Sequence, residues 1–599
     1  MFATFRRFRR AFGLLRAHRG AVFLGALGIP VSAALTLWMP ALVADGVGVV
    51  QEIGAAGGEA AGRGEGLARL TWIVLTLAGV ALAEALAKYL ARERLVTASR
   101  YVETRLKDDL MAHLVRLPAA WFDRARTGDL ISRLTQDVEL VRFVVGPALL
   151  HGGLALLIVP GGFVRMAQIS VPMALVTLAC SAAMLGAMAV LMPRIGRMSR
   201  LVQEAIGAIS QRAAEDFAGV RVLMNFARTD AQAGTMRTLG EEYLQRNLRL
   251  TRFRAAIDLF VHTFRNLVVV GVVVLGAAAA TRSSLGASDL LEFVLLMQAM
   301  VWPLISMGWI LATFHRAVAA AERIEEVFET PPEPSGGARP VLRGQVTVQD
   351  LTFRYPGQEH PALAGVSFAL EPGAKLGLVG PVGSGKSTLL ALLLRLYDPP
   401  AGTVRVDGHD VLDLDPAVLR ATFALAPQDP FLFSDTIAGN VRFGVSATEA
   451  AAGDDLEVLA AVEASALDRD LEQIQGGLEA VVGERGITLS GGQKQRVSLA
   501  RALAANRAAL VLDDTLSAVD YSTETTILDR LRRARRGRTM IVASHRLTAV
   551  EDSDLILVLD QGRVVERGTH RELVQRGGWY AEMWRRQQEH QALEGGGES

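Results

Sequence analysis

The chain has almost no cysteine: Cys180 is alone among 599 residues. An intrachain disulfide is therefore excluded, and Cys180 itself lies inside an apolar run. Net charge of either sign is also lacking. Lysine and arginine number 63 against 62 acidic residues, for a formal charge of +1. That balance removes any global electrostatic case for binding nucleic acid. No short N-terminal apolar segment with a small-residue cleavage site is legible, so no removable signal peptide is expected. Apolar length, by contrast, is abundant. Half of the residues are hydrophobic and the mean hydropathy is +0.28. This is too apolar for a simple soluble enzyme and points to membrane spans joined to a soluble domain.

Six runs are long and apolar enough to span a bilayer, near Ala21–Val43, Leu70–Leu90, Phe143–Phe163, Val171–Leu191, Ala255–Ala280 and Leu290–Ala312. The connections Gly54–Gly64, Arg165–Ser170 and Thr281–Ser288 are short and read as external. The segments Arg92–Arg142 and Arg194–Arg254 are long and dense in arginine, which places them in the cytoplasm together with both termini. Their helical periodicity extends the membrane helices well past the bilayer. Each is interrupted once, at Leu117–Asp129 and at Glu215–Val222. The opening Phe2–Arg16 interleaves aromatics with arginines and is expected to lie as an interfacial helix on an anionic leaflet.

Some spans carry ionisable residues. Asp258, His262 and Arg265 share one helix face. They form either a polar stretch of a translocation pathway or a salt-bridged face of a helix still in the cytoplasm, and the two readings stand level. Glu84 and Lys88 read as a structural i, i+4 pair. Asp45 and Glu292 are too isolated in sequence to interpret.

The chemistry lies in the C-terminal half. The loop Gly380-Pro381-Val382-Gly383-Ser384-Gly385-Lys386-Ser387 follows the apolar strand Lys375–Val379 and precedes the helical run Thr388–Leu396. In that context its backbone N–H groups cradle phosphates, Lys386 reaches the β- and γ-phosphates, and the Ser387 hydroxyl suits Mg²⁺. Further on, Ser490-Gly491-Gly492-Gln493 opens a helical pattern, where small residues let backbone donors approach an anion. The apolar strand Leu510–Leu512 then ends in two carboxylates, Asp513 and Asp514, and Asp513 occupies the place where an ATPase holds Mg²⁺.

A phosphate loop, an LSGGQ segment and a strand-terminal aspartate in this order resemble the nucleotide-binding domain of ATP-binding cassette (ABC) proteins, and with six spans the type IV exporters. The resemblance implies further roles. Tyr355 would stack on adenine. Gln428 would contact Mg²⁺ and sense the membrane domain. Thr388 joins the phosphate loop's set, and Asp520 closes a D-loop, Ser517–Asp520. His545 would contact the γ-phosphate, and Gly483–Gly486 would touch the coupling loops. The two cytoplasmic breaks resemble the coupling helices that sit in grooves of the ATPase domains.

The resemblance also implies ATP and Mg²⁺ as cofactors and a dimer in which each ATP lies between one phosphate loop and the other chain's LSGGQ. One position departs from the pattern: the residue after Asp513 is normally a glutamate that polarises the attacking water, and here it is Asp514. Aspartate is shorter by roughly 1.5 Å, and general-base work depends on geometry first. The favoured expectation is a site that binds ATP but hydrolyses it poorly, as in the Asp-bearing subunit of heterodimeric bacterial exporters. The alternative is a site adjusted so that Asp514 still works.

The expected architecture is multi-domain. An all-α six-helix transmembrane domain with long cytoplasmic extensions covers residues 1–329, a linker 330–338, an α/β P-loop ABC ATPase domain 339–588 and a disordered tail 589–599. The chain would sit in the cytoplasmic membrane as a multi-pass protein beside a second half-transporter, and would move a small molecule, lipid or peptide. A homodimeric exporter, an exporter-fold importer and a nucleotide-gated regulator or channel remain as rivals. The substrate is not legible.

Overall fold

The computed structural model describes residues 8–55, 60–280, 285–445, 456–483, 489–517, 521–534 and 537–595. Two compact units emerge: Met1–Leu114 with Thr127–Thr330, and Val115–Arg126 with Pro331–Ser599. The first interruption in the cytoplasmic helices therefore packs with the C-terminal unit, although in sequence it lies within the expected transmembrane domain.

The first unit is built on six helices: α1 (Arg19–Ala55), α2 (Ala60–Leu114), α3 (Pro147–Ile169), α4 (Val171–Ala218), α5 (Thr229–Ala280) and α6 (Ala287–Glu329). Among the described residues, six helical segments are long and apolar enough to cross a membrane. α2 has 55 residues and so measures about 80 Å, against about 30 Å of hydrocarbon. The expected cytoplasmic extensions are continuous helix. α1 packs along α2, α4 along α5 and α3 along α6. A core of Ile158, Met166, Val272, Phe293, Leu296 and Met300 lies between them, while Trp72, Leu82, Leu175 and Trp302 stay exposed. Helices that are apolar on every side suit lipid.

The third span is not one unbroken helix. Val138–Val145 ends at Gly146, and Pro147 starts α3. Gly146 passes so close to α2 that a Cβ there would lie 2.5 Å from the Ser99 hydroxyl and 3.2 Å from the Leu95 carbonyl. Backbone contact requires glycine at this crossing.

Burial explains several charged residues. Glu292 on α6 is buried and accepts a two-pronged contact from Arg165 on α3, at 2.6 and 3.2 Å. Glu84 pairs with Lys88 and accepts from Thr36 of α1 at 2.7 Å. Asp258, His262 and Arg265 are not joined by any ion pair among the described residues. Asp258 and His262 are exposed, and Arg265 donates to its neighbour Asn266 at 3.3 Å. A salt-bridged trio is thus not what α5 presents.

The N-terminal helix is described over Arg9–Leu15. Phe8, Ala11 and Leu15 are buried in protein. Phe8 stacks on Phe314 at 5.9 Å, and the Arg10 guanidinium lies 3.7 Å from the Phe328 ring centre. The buried face of this helix packs against α2 and the Val138–Val145 helix, with Phe8 and Arg10 reaching α6.

The second unit holds two sheets. A four-stranded antiparallel sheet runs β2-β1-β4-β5, from β1 (Val346–Phe353), β2 (Leu363–Leu370), β4 (Val404–Val406) and β5 (His409–Asp410). A six-stranded sheet runs β10-β9-β3-β8-β7-β6, from β3 (Lys375–Val379), β6 (Phe423–Ala426), β7 (Ala509–Asp513), β8 (Thr539–Ala543), β9 (Leu555–Asp560) and β10 (Arg563–Gly568). All its pairings are parallel except β9 with β10. β3 and β8 are buried at every residue, which is why they read as unbroken apolar runs rather than alternating ones.

The C-terminal helix Trp579–Gly595 corrects the expected tail, because it runs through residues 589–595, where the sequence suggests disorder. Glutamate, glutamine, alanine and leucine are good helix formers, and they continue a helix already anchored by its first turns. Residues 596–599 lie outside the described set.

Candidate active site

Parallel strands deliver the site residues to one sheet edge. β3 ends at Val379 and feeds the phosphate loop, and the helix α7 (Lys386–Leu393) follows. β7 ends at Asp513 in register with Ala543 of β8, and Ala426 of β6 pairs with Leu512. The residues just past these strand ends, Gln428, Asp513, Asp514 and His545, therefore share the carboxyl edge beside the loop. Ligands of open α/β sheets bind at that edge.

Gly380 has φ +148°, and a Cβ on it would lie 2.0 Å from the Leu559 carbonyl oxygen. Only glycine can turn the chain there. Lys386 is buried, and its ammonium donates to the carbonyls of Gly380 and Pro381 at 2.9 Å each and to the Ser384 hydroxyl at 3.4 Å. Burial pulls its pKa below the ordinary lysine value, against the opposing charges of Asp514 and Asp513. Burial also pushes the Asp513 carboxyl up, and the neighbouring Asp514 charge adds to this, while the Ser387 hydroxyl, Lys386 and His545 act in the other direction. Lys386, Ser387, Asp513, Asp514 and His545 thus form one electrostatic cluster.

Asp514 is buried and left-handed, with φ +44°, a conformation that aspartate tolerates better than most residues. Its N–H donates to Ala543 at 2.8 Å, and its carboxylate accepts the His545 N–H at 3.4 Å. Tyr355 is half-buried, and its hydroxyl donates to Thr388 at 3.3 Å. Val382 and Ser387 are exposed on the loop, and Gln428 and His545 are exposed at the edge.

The residues present fit ATP with Mg²⁺. A buried ammonium satisfied by its own loop's carbonyls, beside a glycine turn that admits no side chain, suits terminal phosphates. A hydroxyl and a carboxylate close enough to influence one another, Ser387 and Asp513, offer the oxygen donors that Mg²⁺ prefers. Once bound, the metal would neutralise charge developing on the phosphates.

Ser490 caps the helix α8 (Gly491–Ala504). Its hydroxyl accepts the Gln493 N–H at 3.3 Å, and the Gln493 side chain accepts the Ser490 N–H at 3.0 Å. Gly491 and Gly492 are the first two residues of α8. Among the described residues, no hydrogen bond or ion pair joins Ser490 to Gln493 with residues 380–388. Asp520, with the rest of the D-loop beyond Ser517, and Glu484–Gly486 lie outside the described residues.

Sequence reasoning missed other contributors. Tyr397 packs edge-on against Tyr355, with ring centres 5.0 Å apart, and hydrogen-bonds Asp123 in the Val115–Arg126 segment. Burial, followed by that hydrogen bond and the Asp123 charge, pushes its pKa up to about 12. Glu333 likewise donates its N–H to the Arg116 carbonyl at 2.8 Å and pairs with Arg420. Contacts this distant in sequence leave no local signal.

Fold and site together define a multi-pass membrane protein carrying a P-loop ATPase. Family models agree: residues 21–304 match the ABC transporter transmembrane region and residues 363–517 the ABC transporter model. The chain is 35% identical over 536 residues to "Multidrug resistance-like ATP-binding protein MdlA" of Escherichia coli, covering 88% of each. It is 29% identical over 588 residues to the "ATP-dependent lipid A-core flippase" of Vibrio vulnificus, covering 97% of this chain and 98% of that one. A bacterial Atm1-family ABC exporter solved with ATP bound superposes with a TM-score of 0.76 at 26% identity, over 96% of this chain and 99% of that one. The chain belongs to the ABC transporter family, in its exporter branch, and is an ATPase. ABC exporters act as dimers.

Proposed function

We propose that this chain is one half of a heterodimeric exporter of the cytoplasmic membrane, with both termini and the ATPase domain in the cytoplasm. Its own phosphate loop and Asp514 form a site that binds ATP and hydrolyses it poorly. Its Ser490–Gln493 segment completes the partner's competent site. ATP closure of the two cassettes turns the membrane helices outward, and hydrolysis resets them. The observation that carries this reading is Asp514. It is one methylene shorter than the usual glutamate, and one of its oxygens already faces the His545 N–H. Among the described residues no hydrogen bond or ion pair ties Ser490–Gln493 to this chain's own loop, which supports a dimer. So does the exposure of Phe217, Val222, Met224 and Phe226 around the second interruption. Asp258, His262 and Arg265, joined by no ion pair among the described residues, are expensive against lipid and suit a polar stretch of the translocation path.

Isolation from the native membrane followed by mass measurement of the intact complex tests the proposal. Two different chains are expected, the second with glutamate after its strand-terminal aspartate. A complex containing only this chain would overturn the heterodimer. Transport into inside-out vesicles fixes the direction, and the multidrug and lipid A-core names of the relatives suggest dyes and lipids as first probes.

Coupling is proposed to run through Val115–Arg126 to the adenine platform. Tyr397→Phe removes the hydroxyl to Asp123 but keeps the ring against Tyr355. A hydrogen bond to a charged group contributes about 1.5–3 kcal/mol. The ATP concentration that moves spin labels at the outer ends of α3 and α6 should therefore rise about tenfold, while ATP affinity holds. An unchanged spin-label response would exclude this route.

A further inference from the structure

The segment that presents His545 is held from two sides by residues outside every cassette motif. Glu524, buried on the helix Tyr521–Ala534, binds alternate side chains of the segment: it pairs with Arg546 and accepts from the Thr548 hydroxyl at 2.8 Å. On the other side a single amide binds the main chain. Gln587 donates to the His545 carbonyl at 2.8 Å and accepts the Leu547 N–H at 2.9 Å. No backbone group takes either of these partners among the described residues. The carboxamide pairs with residues 545 and 547 much as a neighbouring strand would.

Helix geometry puts Gln587 there. In the C-terminal helix, Tyr580, Met583, Trp584 and Gln587 fall at i, i+3, i+4 and i+7 and share one face. Tyr580 is fully buried in the core, and Met583 and Trp584 pack against it. The Tyr580 hydroxyl meets His570 at 2.9 Å, and the His570 ring lies 4.5 Å from that of Trp584. Glu566 takes the first N–H of the helix, from Trp579, at 2.5 Å. The helix is thus fixed in rotation and height, and its next inward position meets the segment carrying His545.

We propose that Gln587 is a positioning residue for nucleotide: through the main chain of residues 545 and 547 it sets where the His545 imidazole points. The inference rests on the reading of His545 as the γ-phosphate contact. Its scope is wider than the cassette motifs, since it makes the C-terminal helix part of the ATP site.

The test uses the full-length complex in lipid nanodiscs, with ATP turnover and the dissociation rate of a fluorescent ATP analogue as readouts. His545→Ala is the reference. Gln587→Ala is expected to shift whichever readout His545→Ala shifts, in the same direction and by about tenfold, with the melting temperature unchanged. Gln587→Glu keeps an acceptor for Leu547 but sets a carboxylate against the His545 carbonyl, and is expected to be at least as severe. The decisive measurement is the double variant. If Gln587 acts through His545, adding Gln587→Ala to His545→Ala changes nothing further. Additive effects, or a wild-type Gln587→Ala beside a defective His545→Ala, would overturn the positioning role alone. If His545→Ala moves neither readout, the γ-phosphate reading falls and the inference falls with it.

Discussion

Gly491→Asp is expected to remove nearly all ATP turnover, whereas Asp514→Asn leaves it close to wild type. Under the proposed heterodimer the two residues serve different sites, and the contrast follows from that. Gly491 is the first residue of α8 and is exposed, just past the Ser490 cap. An acidic side chain in a first helical turn is compatible with folding and even favoured by the helix dipole. The loss would therefore be functional: a carboxylate would stand where backbone donors must meet the partner's bound γ-phosphate.

Asp514→Asn preserves shape and keeps an acceptor for the His545 N–H, so the backbone turn at φ +44° survives. Removing a dominant general base costs about 10²- to 10⁴-fold in rate. A degenerate site has no such base to lose. ATP turnover of the purified complex separates the outcomes. A severe loss from Asp514→Asn would restore Asp514 as a working base. In a homodimer both substitutions strike both sites, and both are severe.

Lys386→Ala is expected to weaken ATP binding at this chain's site by about 10- to 100-fold, the range set by about 1.5–3 kcal/mol for a hydrogen bond to a charged group. In the structure the ammonium is buried and donates to the carbonyls of Gly380 and Pro381 and to the Ser384 hydroxyl. It is a desolvated cation held ready for an anion, and burial has already lowered its pKa. No second cation lies on the loop, because Gly380–Ser387 otherwise carries only glycine, proline, valine and serine. Titration of the complex with a fluorescent ATP analogue should lose one of two binding phases. Retention of both phases at wild-type affinity would remove the loop from nucleotide binding.

Much of the fold was legible because its signals are local. Apolar runs of bilayer length mark the six spans. Gly380–Ser387 between a strand and a helix marks a phosphate loop, and the apolar runs Lys375–Val379 and Leu510–Leu512 mark two buried strands, β3 and β7. Ser490 with Gln493 three residues on is a capping box, and the structure forms it. Parallel pairing then gathers Gln428, Asp513, Asp514 and His545 at one edge.

Only the tertiary structure could decide the rest. Glu292 looked isolated because its partner Arg165 is 127 positions away. Asp123 lies 274 positions from Tyr397. Gln587 reads as one more polar residue on a helix until packing of Tyr580 and Trp584 fixes that helix's rotation. Phe8, Ala11 and Leu15 read as one apolar face, and such a face does not by itself say which helices will pack on it. Periodicity and spacing report a residue's own element. Which surface meets that element depends on how the remaining apolar faces are buried, and that is settled only when the whole chain packs.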